Sequence, residues 1–277
     1  LKKRIFISGN SDKPGCEESA KKMEQFLKDK ADIVGVGLGL DVTLPDTPID
    51  LLVCLGGDGS FLNLVDQVIK RNIPILGINF GRLGFLTAGL ANEMDQLLQD
   101  HLEDKTEVFE RLALKIESVA PDGSLTKVCH ALNDVVVATP NMGHVVNLYV
   151  KVSGEPLFHF RGDGMVISTP TGSTGHSLSA GGSLVDPQVE ALLLTPLSPQ
   201  SLSSRPILVR PNATIEVGVS RVLGQAQILY DGKSLGLVKP GDVVRVSRSE
   251  HNVKMVQPKD FRFFNRLSDK LGWSEGF

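Results

Sequence analysis

The sequence predicts an α/β domain built on a parallel sheet, followed by a β-rich, sandwich-like domain. Three observations carry this. Residues 1–107 alternate short apolar runs with amphipathic stretches, the pattern of parallel strands joined by helices. From about Val108 strand-like runs dominate, separated by turn signals such as Pro121-Asp122-Gly123, Asp231-Gly232 and Pro240-Gly241-Asp242. From Lys259 to Phe277 the sequence returns to helix-compatible composition and could pack back on the first domain. The expected boundaries are therefore 1–107, completed by 259–277, for the α/β domain and 108–258 for the β-rich domain.

Element by element, Ile5–Ser8 reads as a strand ending in Gly9-Asn10, and Glu17 to Lys30 as an amphipathic helix. Ile33–Leu40 and Leu51–Leu55 read as strands. Phe61 to Arg71 reads as a helix, because Phe61, Leu62, Val65, Val68 and Ile69 fall largely on one face. Ile75–Asn79 is a further buried strand and Glu93–Leu102 a further helix. In the second domain Leu112–Glu117, Val135–Ala138, Asn147–Val152, Met165–Ser168, Ile215–Val219, Gln227–Tyr230 and Val243–Ser247 read as strands.

Composition sets the outer limits. The 277 residues suit one large or two medium domains, and 41% hydrophobic with 22% charged residues is ordinary for a globular chain. A net charge of −3 gives no reason to expect a nucleic-acid or membrane partner. No apolar run approaches the ~20 residues that span a bilayer. Leu1-Lys2-Lys3-Arg4 leads at once into a strand-like run without a signal-peptide pattern, so a cytoplasmic location and a missing or trimmed initiator Met are expected. The cysteines, Cys16, Cys54 and Cys129, are odd in number and lack metal-ligand spacing, so reduced thiols are expected.

The chemistry concentrates in two segments. The first is Gly56-Gly57-Asp58-Gly59-Ser60, between a strand and a helix. Glycine lets backbone N–H groups approach a phosphate, and the helix N-terminus adds free donors and a positive dipole end. A carboxylate there is odd for a plain anion cradle. It makes sense if the loop also positions a hydroxyl that attacks a phosphate. Ligands of parallel sheets bind at the carboxyl ends of the strands, so Asn79–Leu86, after the next strand, is expected to line the same crevice. The second segment runs from Ser168 to Gly182, where seven of fifteen residues are Ser or Thr and four are Gly. Its hydroxyls and N–H groups suit sugar hydroxyls and a pyrophosphate, although a Ser/Thr/Gly surface loop would look the same. Two other motifs are discounted. Gly35-Val36-Gly37-Leu38-Gly39 misplaces the third glycine of a dinucleotide fingerprint. Gly232-Lys233-Ser234 lacks the opening glycine of a P-loop, since position 227 is Gln.

In order along the chain stand Gly56–Ser60, Asn79–Leu86, Leu132-Asn133-Asp134, Asp163–Gly182 and the Thr195–Pro206 stretch. Together they resemble the NAD kinases, whose pattern is GGDGT, N-F-G-x-L-G-F-L, L-N-E/D, D-G-x-x-x-S-T-P-T-G-S-T-A-Y-S-x-S-A-G-G and T-P-x-x-P-x-x-L-x-x-R-P. The loop alone is also found in lipid kinases of the diacylglycerol type; the long Ser-Thr-Pro-Thr-Gly-Ser-Thr stretch is the specific part. The resemblance implies phosphoryl transfer from ATP, or polyphosphate, to the adenosine 2′-hydroxyl of NAD, giving NADP. It also implies a site between an α/β and a β-rich domain, Mg²⁺ arriving with ATP, and a homodimer or homotetramer. Asp58 is then the carboxylate that orients and deprotonates the hydroxyl, as against a turn-forming Asp that caps the next helix. Gly56, Gly57 and Gly59 lie against phosphates. Asn133, Asp134, Asp163 and Asp231 contact the nucleotide, each also readable as a turn residue. His144 and Arg161 are further contacts, with solvent-facing roles equally open. Thr174, Gly175, His176, Ser177, Leu178 and Ser179 wrap the NAD. Gly175-His176 replaces the family's Ala-Tyr, which removes an aromatic surface and puts NAD affinity and the choice between NAD and NADH in doubt. Two alternatives remain open: a lipid kinase, and a non-catalytic NAD-binding regulator.

Overall fold

The computed structural model describes residues 2–39, 41–140, 144–222 and 226–273. In chain order the elements begin β1 (Arg4–Gly9), α1 (Cys16–Leu27), β2 (Asp32–Leu38), β3 (Leu51–Leu55), α2 (Asp58–Arg71), β4 (Ile75–Asn79), β5 (Gly89–Leu90), α3 (Met94–Leu102) and β6 (Thr106–Arg111). There follow β7 (Leu114–Val119), β8 (Leu125–Ala131), β9 (Asp134–Ala138), β10 (Val146–Val152), β11 (Glu155–Gly162), β12 (Gly164–Ser168) and α4 (His176–Ser179). The chain closes with β13 (Leu192–Leu197), β14 (Ile207–Val209), β15 (Ile215–Val222), β16 (Ala226–Tyr230), β17 (Lys233–Val238), β18 (Val243–Arg248), β19 (Val253–Pro258) and α5 (Phe263–Leu271). Two compact units result: Leu1–Glu110 with Val253–Phe277, and Arg111–Asn252. Leu40 and residues 274–277, expected to end a strand and a helical tail, lie outside the described residues.

The first unit is a seven-stranded sheet in the order β2-β1-β3-β4-β19-β6, with β5 paired to β4. The pairings β1–β2, β1–β3, β3–β4, β4–β5 and β4–β19 are all parallel. Every residue of β3 is buried, as a strand covered on both faces requires. From α1, Cys16, Ala20, Met23 and Leu27 are buried; from α2, Phe61, Leu64, Val65, Val68 and Ile69. Leu64 rather than Leu62 completes the buried face of α2, because it lies within one turn of both Phe61 and Val68. Residues 253–258, assigned by sequence to the β-rich domain, form β19 of this sheet. Val253, Met255, Val256 and Gln257 are all buried there, and Met255 pairs with Ile75.

The second unit holds two six-stranded sheets, β11-β10-β15-β18-β7-β8 and β14-β13-β12-β9-β16-β17. Every strand pairing in them that is resolved residue by residue is antiparallel. Inward-facing side chains of both sheets share one core, with Leu114, Ile116, Leu148 and Val217 from the first meeting Val135, Val137, Met165 and Ile167 from the second. No helix among the described residues is long and apolar enough to cross a membrane.

Candidate active site

In the first unit, β2 and β3 flank β1 on opposite sides, so the order in which the parallel strands are added reverses between β1 and β3. That is the place where open α/β sheets bind ligands, and the Gly56–Ser60 loop leaves β3 there. Gly56 does not offer its amide to a ligand: the N–H donates to Ile78 O (2.8 Å), and a Cβ on Gly56 would overlap the Ser60 hydroxyl. Gly57 is the N-cap of α2 and Gly59 is exposed with open space around it. The helical bond from Phe61 N to Gly57 O (3.1 Å) leaves the preceding amides as the free donors of the helix N-terminus.

Asp58 is not the helix cap. Its carboxylate reaches across to the turn after β4, where Phe85 N–H donates to Oδ2 (2.8 Å) and Leu86 N–H to Oδ1 (3.0 Å). A side chain at Gly84 would overlap Asp58 Oδ1, so glycine there is what lets the carboxylate reach the turn. The turn is tied internally by Gly84 N–H to Thr87 Oγ1 (3.1 Å), and Asn79 closes the preceding residues through Gly81 N and Arg82 O.

In the second unit the register of the middle strands brings three segments to one end of a sheet. Ser168 pairs with Asp134, and Tyr230 pairs with Val135. Asn133 and Asp134, the 168–175 segment and Asp231 therefore converge. Both carboxylate oxygens of Asp231 are occupied within the unit, by the N–H groups of Leu132 (2.8 Å), Asn133 (2.8 Å) and Asp134 (3.2 Å). On the other side Thr169 Oγ1 donates to Leu132 O (2.6 Å) and accepts from Gly172 N (3.0 Å). A Cβ on Gly175 would stand 3.8 Å from both Asn133 Nδ2 and Asp134 Oδ2. Asn133 Oδ1 is buried with no hydrogen-bond partner among the described residues, which leaves an acceptor where a ligand donor would gain a full hydrogen bond.

The wrapping segment splits by exposure. His176 and Ser179 are exposed, and Thr174, Gly175 and Leu178 are partly buried. Ser177 is fully buried and its hydroxyl bonds Thr195 Oγ1 (2.9 Å), so it ties the segment to β13 instead of facing outward. Arg161 and Asp163 are exposed at the other end of β12, and His144, also exposed, precedes the Val146–Gly162 pairing at that same end. From Asp163 to Ser168 is five residues, about 17 Å along a strand. Within the unit, then, Asn133, Asp134 and Asp231 form one cluster, and His144, Arg161 and Asp163 lie at the opposite end of the strands.

Burial pushes Asp134 up to about 6, and Asp231 up to about 6 even against its three amide donors. Both folded values lie above the ordinary 3.8, so protonation favours the fold. The stability they contribute is complete below about pH 4 and is lost as pH rises through about 6. At about 1.4 kcal/mol per pKa unit, each of the two carboxylates gives up on the order of 3 kcal/mol by pH 7.5. Asp134→Asn mimics the protonated acid. It is expected to raise the unfolding temperature at pH 7.5 and to leave it almost unchanged at pH 4.5. A loss of stability at pH 7.5 would show that the Asp134 carboxylate is compensated in the fold.

Sequence reading placed the Asn79–Leu86 segment beside the loop without showing how the two connect. It missed Thr169, Gly172 and Thr195 as individual supports. Thr169 and Gly172 lie inside the Ser/Thr/Gly segment, so their composition was a usable signal. The buried pairing of Thr195 with Ser177 had none.

Comparison with known proteins was consistent across both units. Residues 10–106 match the model of the ATP-NAD kinase N-terminal domain, and residues 132–258 that of the ATP-NAD kinase C-terminal domain. An NAD kinase of Gemmatimonas aurantiaca is 44% identical over 232 residues, 82% of this chain and 79% of that protein. One of Geotalea daltonii is 39% identical over 226 residues, with the same shares covered. Among solved structures, yeast NADH kinase complexed with NADH superposes with a TM-score of 0.88 at 25% identity, over 99% of this chain and 89% of that one. An NAD kinase from Archaeoglobus fulgidus in complex with ATP gives 0.74 at 27% identity, over 96% and 98%.

Proposed function

The chain belongs to the NAD kinase family, and from that premise we propose how its residues divide the work of phosphorylating NAD. The reaction moves a phosphoryl group from ATP to NAD, giving NADP. The relatives that match are NAD kinases, which disfavours a lipid kinase or a non-catalytic regulator.

The observation that carries the assignment of roles is the posture of Asp58. A carboxylate offers about four lone-pair directions, and two are taken by Phe85 and Leu86. The remaining pair accepts the proton of the adenosine 2′-hydroxyl and aims its oxygen at the γ-phosphorus. Phosphoryl transfer proceeds through a loose transition state, so orientation contributes more than early deprotonation. The amides at the start of α2 and its dipole favour the phosphates. Gly57 and Gly59 keep that approach open; Gly56 supports the loop by packing against Ser60.

Asn133 and Asp134 hold the dinucleotide through its hydroxyl and amino donors, a role supported by the unpartnered Asn133 Oδ1. Asp231 sets the backbone of that pair and does not itself meet substrate. Thr174, Gly175, His176, Leu178 and Ser179 border the nucleotide, with the imidazole standing in for the family's phenol ring. Ser177 anchors them. His144, Arg161 and Asp163 remain proposed nucleotide contacts by resemblance. Magnesium enters as the ATP complex, ligated by phosphates. Among the described residues no three His, Cys, Asp or Glu side chains converge on a metal position. A homodimer or homotetramer and a cytoplasmic location complete the proposal; the buried thiols of Cys16, Cys54 and Cys129 suit a reducing compartment.

The test is an incubation of purified protein with ATP and Mg²⁺ and either NAD or NADH, followed by assay of NADP or NADPH. Product with NAD is expected. Binding of NAD without product from either dinucleotide would replace the kinase with the regulator.

A further inference from the structure

We infer that Arg266, on the C-terminal helix α5, is a positioning residue for Asp58. Its Nη1 donates to Gly84 O (3.2 Å) and to Thr87 O, the carbonyls that bracket the turn. The amides inside that bracket, Phe85 N and Leu86 N, are the ones that hold the Asp58 carboxylate. One guanidinium therefore fixes the ends of a turn whose middle fixes the catalytic side chain. Gln257 of β19 adds a third tie, from Nε2 to Leu86 O (3.3 Å). Arg266 is itself set in place by Phe261, whose ring centroid lies 4.8 Å from the guanidinium carbon.

The arrangement suits a charged, planar donor. Both bonds leave Nη1, whose two N–H directions are fixed in the guanidinium plane, whereas an ammonium is a compact point donor on a flexible stem. The cation also attracts the Asp58 carboxylate electrostatically, although the two are linked through the backbone of the turn and not directly. Chain separation makes the link a tertiary one: Arg266 lies 182 residues beyond Gly84. Arg266 also lines a cavity of about 730 Å³, bordered by Arg82, Leu83, Glu93 and Phe261. A small cation can therefore enter from solvent if the arginine is truncated.

The inference rests on the role proposed for Asp58, and the experiment separates the two. Arg266→Ala and Arg266→Lys are each made in the wild-type and the Asp58→Asn backgrounds. Turnover is measured at saturating NAD and ATP, and amide hydrogen exchange is followed over residues 81–90. Arg266→Ala is expected to lower kcat about 10-fold or more, with KM for NAD changed by less than about 3-fold, on the scale of losing an orienting contact. Exchange at Phe85 and Leu86 should accelerate. Millimolar guanidinium should restore part of the lost kcat, and Arg266→Lys should retain more than Ala. In the Asp58→Asn background the same truncation should cost little further turnover, because the two side chains act as one unit.

Turnover within about 2-fold of wild type in Arg266→Ala overturns the inference, as does unchanged exchange at Phe85 and Leu86. Equal losses in both backgrounds overturn it as well, since Arg266 would then act independently of Asp58. If Arg266→Ala does not fold, the same criteria are read on Arg266→Met, which keeps an aliphatic stem beside Phe261 and removes the donor. Near-normal turnover in Asp58→Asn alone removes the role of Asp58 and the inference with it. Loss of kcat in Arg266→Ala beside an active Asp58→Asn would leave Arg266 important but for another reason.

Discussion

Asp58→Asn lowers turnover by at least about 100-fold, the usual scale for losing a group that handles the reacting proton. The structure makes this substitution more than a loss of charge. Phe85 N–H and Leu86 N–H both donate to the carboxylate, one to each oxygen. Asparagine keeps one acceptor and turns the other into a donor, so one amide of the turn faces an N–H. Either the side chain rotates away from the turn or the turn opens. In both cases the 2′-hydroxyl loses its guide. Because Asp58 does not cap α2, the helix itself should persist, and the unfolding temperature should fall by only a few degrees. NADP formation at saturating NAD and ATP checks the prediction. Turnover near that of wild type would end the catalytic assignment, whatever happens to KM.

The second large effect is expected in the other unit. Gly172→Ala places a methyl group on the backbone of Asn133: it would overlap the carbonyl oxygen and stand 2.5 Å from the carbonyl carbon. Neither side can yield cheaply. Asn133 O accepts Thr169 N–H (2.9 Å), while Asn133 N–H and Asp134 N–H are held by Asp231. Gly172 N is held by Thr169 Oγ1 (3.0 Å) and its carbonyl by Gly175 N–H (2.9 Å). Backbone overlap of this kind belongs to the exceptional class of substitutions, costing about 4 kcal/mol or more. The strain falls on the segment proposed to hold the dinucleotide, so NAD affinity should drop at least about 10-fold. Calorimetric titration with NAD, together with thermal unfolding, reads both effects. Unchanged NAD affinity in a folded Gly172→Ala protein would detach the Asn133–Asp134 segment from substrate binding.

Much of the fold was legible, and what escaped the sequence shares a cause. Strands covered on both faces, such as Leu51–Leu55, Ile75–Ile78 and Val135–Ala138, are short runs without a polar side chain and can be read directly. The unforeseen strands of the second unit include the edges β11, β14 and β17, and of the edge β8 only the His130–Ala131 end was read as a strand. Edge strands face water along much of their length, so LTKVCHA and EPLFHFRG carry mixed polar residues with no clean alternation. Pro196 disguises β13, because proline lacks the N–H of a ladder residue. Residues 253–258 were placed with the β-rich domain and not read as a strand; the pairing of β19 with β4 is a long-range event that periodicity cannot encode.

The site divides along the same line. Local glycine, hydroxyl and carboxylate patterns were enough to identify the Gly56–Ser60 loop, the Ser/Thr/Gly segment and a kinase chemistry for Asp58, because backbone access to phosphate is a short-range property of those residue types. Which groups touch substrate and which only hold others was decided by tertiary contacts. Asp231 and Asp163 look alike in sequence, each followed by glycine. One is buried on three amides and the other lies exposed at the far end of its strand. Gly56 and Ser177 sit inside their motifs yet spend their polar groups on the fold, on Ile78 and Thr195. Arg266 carries no motif at all and meets the Asp58 turn only because the chain returns to its first sheet after residue 252. Sequence alone set the chemistry of the residues. Hydrogen bonds between residues 18 to 182 positions apart set their roles, because a polar group's function depends on which partner reaches it first.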